Sequence, residues 1–250
     1  MNESKPQKLK WTPELVQKFW DGLTHTRLLE LGFSRQVGKS LIIVIEHLLK
    51  KDSRILDFGA GDGDLIDLLC ERGYTTAAFE DSKERQELLK NKLSGHIKFL
   101  GAIDKYSVNS FDVIIMAEVI EHILDEDLEQ TLEKVVSLLD PEGILIITTP
   151  NNEDLELSMT YCPVSNQLFH RWQHVRSFTE QSLSDLLSEY GIEKITTHCL
   201  ELNDSIFLPG DRMWGDDGNQ KPPSFLNEIR QNISVKAGSE QNLIFIGRKI

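Results

Sequence analysis

The chain has 250 residues, 40% of them apolar and 27% charged, with a formal net charge of −13. That size fits one large domain with modest additions, and the composition supports a sizeable buried core rather than a disordered chain. The acidic balance disfavours a general nucleic-acid binder, which needs a basic surface to displace counterions from phosphates.

The first segment, MNESKPQKLKWTPE, is polar and lacks the apolar stretch of a secretory signal. From Trp11 to Leu49 the pattern reads as helices. Gln36–Leu49 carries Val37, Leu41, Val44, Ile45 and Leu48 at near-helical spacing. Its longest apolar run, Leu41 to Ile45, is far too short to span a bilayer. After Lys50-Lys51-Asp52 the texture changes to short apolar runs alternating with amphipathic segments. Strands are predicted at Arg54–Phe58, Thr75–Glu80, Ile97–Leu100, Phe111–Met116 and Ile144–Thr149, with helices at Asp64–Arg72, Lys83–Lys92 and Asp127–Leu139 between them. That alternation implies βαβ units and a parallel sheet covered by helices on both faces. Pro141-Glu142-Gly143 reads as a turn opening the next strand. A loop-rich section follows Pro150, then a helix at Glu180–Tyr190 and strands near Ile192–Leu200 and Asn242–Arg248. Leu208–Ser224, rich in Gly, Pro and Asp, reads as a long loop or a cover over a site. Cys70, Cys162 and Cys199 are odd in number and widely spaced, so neither a disulfide framework nor structural zinc is expected. The expectation is a cytoplasmic protein with no membrane insertion.

Three segments carry chemistry. In Ile55-Leu56-Asp57-Phe58-Gly59-Ala60-Gly61-Asp62-Gly63-Asp64-Leu65 a buried strand ends in an acid, turns through alternating glycines and enters a helix. Glycine serves where φ is positive or a ligand comes close, and the helix start offers free N–H groups. A dinucleotide loop wants GxGxxG, but the sixth position here is Asp64, and Asp62 with Asp64 suits a cationic ligand better than a pyrophosphate. About twenty residues on, Ala78-Phe79-Glu80-Asp81-Ser82 ends the second strand where a doubly wound fold keeps its ribose ligand. Glu80 is the candidate for the hydroxyls, with Asp81 beside it. The third segment runs from Ser110 to Ile123 as a "SFDVI" strand followed by "EVIEHI", and "LLDPEGILIITTPN" follows at Leu138–Asn151.

In order and spacing these segments, from about Ser53 to Asn151, resemble the class I S-adenosylmethionine-dependent methyltransferases, whose first motif has the form (D/E)xGxGxG. The resemblance implies a Rossmann-like, mostly parallel sheet with an antiparallel last strand. It also implies a helical extension or lid over residues 1–50 on a methyltransferase domain over 51–250, and S-adenosyl-L-methionine as cofactor. By it, Asp57, Gly59 and Gly61 lie along the methionine part of the cofactor, in one loop with Ala60 and Gly63. Ala102 and Ile103 fall at the adenine, although residues 101–107 depart from the commoner acid-containing pattern. Met116, Ala117 and Glu118 face the sulfonium.

Glu118, Glu121 and His122 are spaced i, i+3, i+4, which brings them to one side if they share a helical turn. His174 lies downstream, in His170–Thr179. The small-RNA 3′-terminal 2′-O-methyltransferases have a similar ExxEH segment and later histidine. That likeness implies a divalent ion, magnesium or manganese, on Glu118, Glu121, His122 and His174. Bacterial methyltransferases of small molecules, quinone precursors and glycans also carry "EVxEHI" and "HxRxFTxxSL", matched here at His174, Arg176, Phe178, Thr179, Ser182 and Leu183. Three roles stay open: metal binding, His122 or His174 as general base with Glu118 nearby, and a purely structural part in capping helices. Phe169, Trp172 and Phe178 either line an acceptor pocket or form a small core, and Trp11, Phe19 and Trp20 are either a lid or core. The working expectation is O-methylation of a small-molecule or glycan-like acceptor. RNA 2′-O-methylation and a silent cofactor-binding partner are the rivals.

Overall fold

The computed structural model describes residues 5–103, 108–203, 207 and 223–250. Residues 104–107 and 208–222, which include most of the expected cover, lie outside the described residues. Among the described residues no helix is long and apolar enough to cross a membrane.

The chain opens with a two-residue strand, β1 (Gln7–Lys8), and helix α1 (Pro13–Thr24). Thr12 caps α1 by accepting from the N–H of Leu15, and Pro13 takes the first position, where no amide hydrogen is needed. None of the α1 side chains is buried. Helix α2 (Phe33–Ile45) buries Leu41, Ile42, Val44 and Ile45 against the sheet. It starts three residues earlier than periodicity predicts and tightens into a 3₁₀ turn at Glu46–Leu48.

The predicted alternation then follows: β2 (Arg54–Phe58), α3 (Asp64–Glu71), β3 (Thr75–Phe79), α4 (Lys83–Leu93), β4 (Phe99–Ala102), β5 (Phe111–Ala117), α5 (Asp125–Leu138) and β6 (Leu139–Pro150). Strands β2 and β5 are almost continuously apolar because helices cover both sheet faces. Two boundaries differ from expectation. Pairing of β4 begins at Phe99 rather than Ile97, since a turn from His96 to Phe99 leaves Ile97 96% exposed. Pro141-Glu142-Gly143 does not precede β6 but bulges from within it. The register moves from Phe111 opposite Leu139 to Val113 opposite Ile144, and Glu142 turns at φ 65°.

The stretch after Pro150 contains a hairpin, β7 (Met159–Cys162) and β8 (Gln167–His170), to which β1 adds as a third strand. Helix α6 (Glu180–Glu189) opens with a Thr179–Ser182 capping box. Strand β9 (Ile192–Leu200), helix α7 (Leu226–Arg230), strand β10 (Val235–Ala237) and strand β11 (Asn242–Lys249) complete the chain.

The main sheet has the order β10-β9-β11-β6-β5-β2-β3-β4. The last strand, β11, inserts between β9 and β6 and runs antiparallel to both; the other pairs are parallel. From β2 the chain winds outward to β4, then returns to β5 on the other side of β2. Ligands of open α/β sheets bind at the strand C-termini beside such a reversal. Here the loops after β2 and β5 meet at that point.

Candidate active site

Gly59, Gly61 and Gly63 all have positive φ, at 83°, 53° and 76°. The amides of Gly59 and Ala60 donate to the Phe79 carbonyl, tying the loop to the end of β3. The Gly61 amide donates to Glu80 Oε2 at 2.8 Å, and Ser82 N donates to Oε1 at 3.0 Å. Asp57 is buried under the loop, and burial, then the Glu80 charge, pushes its carboxyl up to about 7. Burial also raises Glu80, against the pull of Arg85.

Asp62 and Asp64 do not leave this loop negative. Arg35 and Arg85 each approach Asp62 at 3.9 Å, while Arg35 and Lys92 pair with Asp64. The expectation that those two acids favour a cationic ligand therefore does not hold; among the described residues Asp57 is the loop acid without a salt bridge. Beside Glu80 and Asp81, the rings of Phe58 and Phe79 stack at 4.5 Å, and Lys134 Nζ lies 3.7 Å above Phe79. These groups line a hollow of about 1290 Å³. Ala102 ends β4 and Ile103 N donates to the Ala78 carbonyl, next to the same strand end.

The other half of the site follows β5. Met116 is buried in the sheet, and Ala117 ends the strand at the cleft. Glu118, Glu121 and His122 do not share a helical turn: residues 118–124 form an irregular turn, and α5 starts only at Asp125. The backbone reverses at Glu118, where φ is 54°, a left-handed conformation that costs a non-glycine residue roughly 1–2 kcal/mol. Glu118 N donates to the Thr148 carbonyl and hydroxyl, and the Thr148 hydroxyl donates to Glu118 Oε1 at 2.9 Å. Burial lifts the Glu118 carboxyl to about 7.

Glu121 is 0% exposed, and among the described residues neither carboxylate oxygen has a partner in good hydrogen-bond geometry, although Glu118 and Thr149 lie close enough to act on it. Burial, then the Glu118 charge, holds it well above the usual carboxylate range. His122 is pushed down to about 3 by burial and by repulsion from His174, and its Nδ1 is also unpartnered. The His122 and His174 rings lie 4.8 Å apart. Glu121, His122 and His174 each bring a ligand atom within 4.8 Å of the others; Glu118 stands outside that group.

Two residues that spacing did not single out join His174. Glu153 Oε1 lies 3.1 Å from His170 Nε2 and Oε2 lies 2.5 Å from His174 Nδ1. Burial alone raises Glu153, but the hydrogen bonds from His170 and His174 outweigh it and bring the carboxyl to about 2. Gln173, fully buried at φ 64°, accepts from Trp20 Nε1 and donates to the His122 carbonyl, both at 3.0 Å.

The HxRxFT segment thereby acquires a mechanical explanation. Arg176 donates to the carbonyls of Ile120 and Ile123 and to Asp125, clamping the turn that carries Glu121 and His122. Phe178 belongs to the core and Phe169 packs on Trp11, so of that aromatic trio only Trp172 lines the cleft. Trp11, Phe19 and Trp20 form a row of edge-on contacts that ends on His122, 4.9 Å from Trp20. A cleft of about 600 Å³ takes in Gly59–Gly61, Glu118, His122, Glu153 and His174.

A doubly wound sheet with a glycine loop after its first central strand, an acid at the next strand end and a polar cluster across the reversal point defines a Rossmann-like methyltransferase. Residues 33–197 match the family model described as a methyltransferase domain, and the chain belongs to that family. It is 28% identical over 106 residues to an uncharacterised methyltransferase of Oceanobacillus iheyensis, covering 42% of this chain and 50% of that one. To the mitochondrial ubiquinone biosynthesis O-methyltransferase of Schizosaccharomyces pombe it is 27% identical over 147 residues, covering 54% and 52%. The chain thus spans about half the length of these curated relatives. Its fold matches a SAM-dependent methyltransferase from Archaeoglobus fulgidus with a TM-score of 0.57, at 17% identity over 89% of this chain and 98% of that one.

Proposed function

We propose that the protein is an S-adenosylmethionine-dependent O-methyltransferase acting on a small, partly apolar hydroxylated molecule. The observation that carries this reading is that His122, Glu153 and His174 line one cleft with the glycine loop, with Glu121 buried beside the two imidazoles.

The residues present fit the cofactor. A Cβ at Gly61 meets only an Arg85 nitrogen at 3.6 Å, so the space over the loop is open to a ligand. Asp57 suits an ammonium, and each Glu80 oxygen accepts one described N–H bond and keeps a lone pair for a ribose hydroxyl. Phe79, Asp81, Ala102 and Ile103 border the adenine side; Ala117 and Glu118 border the methyl, whereas Met116, expected there from the sequence, lies wholly buried in the core behind them. When bound, the cofactor supplies an electrophilic methyl on a sulfonium. The protein's part is alignment, exclusion of water and removal of the acceptor's proton. His174 is the base in this reading. The Leu23, Leu29, Phe33, Val37, Trp172 and Leu202 side chains give the cleft an apolar wall, which supports a phenol-like acceptor over a sugar or an RNA end.

A second reading has its own support. A wholly buried carboxylate whose two oxygens, among the described residues, lack a well-placed donor, beside an imidazole nitrogen in the same state, is costly unless a proton or a cation satisfies it. Glu121, His122 and His174 are the residues that would hold a divalent ion, which would acidify the acceptor hydroxyl.

Calorimetric titration with S-adenosylhomocysteine, with manganese present and with chelator, tests both. Binding that Gly61→Arg abolishes upholds the first reading, and a separate manganese signal lost in Glu121→Gln favours the second. A folded sample that binds no S-adenosylhomocysteine overturns the proposal.

A further inference from the structure

We infer that Glu153 and His170 are a positioning pair whose task is to fix which ring nitrogen of His174 faces the cleft. The inference rests on the role just proposed for His174 and deepens it.

At first sight Glu153, His170 and His174 resemble a second cation site, since their ligand atoms lie within 4.8 Å of one another. Hydrogen-bond bookkeeping rules against that. His170 Nδ1 accepts from two backbone amides, those of Trp172 at 3.3 Å and His174 at 3.1 Å. A nitrogen that accepts carries no proton, so the proton of neutral His170 sits on Nε2. Nε2–H then donates to Glu153 Oε1. His170 has no lone pair left for a metal.

His174 is fixed in the same way. Glu153, an ionised carboxylate, can only accept, so the 2.5 Å contact requires His174 Nδ1 to carry the proton. Nε2 is left with a lone pair and, among the described residues, no hydrogen-bond partner. His174 is therefore held twice by one pair: its ring by Glu153, its backbone amide by His170. The His170 and His174 rings stack at 4.3 Å and 21°, which fixes the ring plane as well. Both imidazoles are almost fully buried, so little water competes for these bonds. A carboxylate that selects a histidine tautomer is a general device for raising the basicity of the opposite nitrogen. The device serves proton abstraction and cation binding equally, because both need the lone pair on the nitrogen away from Glu153.

The test reads the tautomers directly. Long-range nitrogen–proton NMR spectra of histidine-labelled protein, recorded at about pH 8.5, above the ordinary imidazole range, distinguish Nδ1–H from Nε2–H rings. His174→Gln and His170→Gln assign the signals. The expected result is Nε2–H for His170 and Nδ1–H for His174. In Glu153→Gln, the single amide oxygen goes to the fixed His170 proton and the amide NH₂ turns toward His174 Nδ1. His174 should then switch to Nε2–H. A merely structural Glu153 would not move the His174 proton. A wild-type His174 already in the Nε2–H form, or one that keeps Nδ1–H in Glu153→Gln, overturns the inference. If Glu153→Gln does not fold, the wild-type tautomers still decide it. Failure of S-adenosylhomocysteine to bind would sink the proposed function, whereas the tautomers are read without any ligand.

Discussion

Alanine at Gly59 and at Gly61, introduced singly, should separate the structural work of the loop from its ligand-binding work. Both residues have positive φ, where an L side chain costs roughly 1–2 kcal/mol. At Gly59 the new Cβ also falls 2.6 Å from Val119 Cγ2 and 3.1 Å from Cγ1, an overlap worth roughly 1–3 kcal/mol in a packed interior. Loss of glycine's freedom in the unfolded chain returns about 0.4–1 kcal/mol. The net is a destabilisation of roughly 2–4 kcal/mol for Gly59→Ala. Gly61→Ala meets no overlap, only a flexible arginine tip at 3.6 Å, so it should cost about 1 kcal/mol or less. Its methyl instead projects into the space assigned to the cofactor, and S-adenosylhomocysteine affinity should fall tenfold or more, about 1.4 kcal/mol. Urea unfolding without ligand gives the first quantity and calorimetry the second. The reasoning is refuted if Gly61→Ala is as destabilising as Gly59→Ala, or if it binds with wild-type affinity.

Three further outcomes are expected. Asp57 has a folded-state value raised to about 7, so its contribution to stability is complete below about pH 4 and is lost as pH rises toward 7. At 1.36 kcal/mol per unit that loss is about 4 kcal/mol; urea curves of Asp57→Asn should match wild type at pH 4 and lie well above it at pH 8. Arg176→Ala removes charge-assisted bonds to two turn carbonyls and should cost about 2–3 kcal/mol, read as a lowered midpoint of thermal unfolding. Trp20→Phe keeps the ring and deletes the donor to Gln173, and should cost about 1 kcal/mol, read as a lowered midpoint of urea unfolding.

The parallel core and the glycine loop were legible because each rests on local pattern. The apolar runs at Arg54–Phe58 and Phe111–Met116 admit only doubly covered strands, and three alternating glycines mark positive φ. The half of the site after β5 was legible in composition but not in shape. An i, i+3, i+4 spacing suggested a helical turn after β5, but Glu118 reverses the backbone and the helix waits until Asp125. Glu121, His122 and His174 meet anyway, because Arg176 and the Val175 amide pin the turn to the HxRxFT segment. Glu153 left no signal in the sequence: it lies past the end of β6, and its partners arrive from β8 and the loop beyond. His170 and His174, four residues apart, were a visible pair whose spacing could have flagged them. Asp62 and Asp64 misled for a related reason, since Arg35 and Lys92, which pair with Asp64, sit about thirty residues away on either side of it.

The amide of Gln173 joins Trp20 on α1 to the backbone beneath His122. Because a buried amide left half-bonded is unfavourable, any displacement of α1 strands a polar group beneath His122. The first helix is thereby fastened to the histidine turn, two parts far apart in the sequence that hold or slip together.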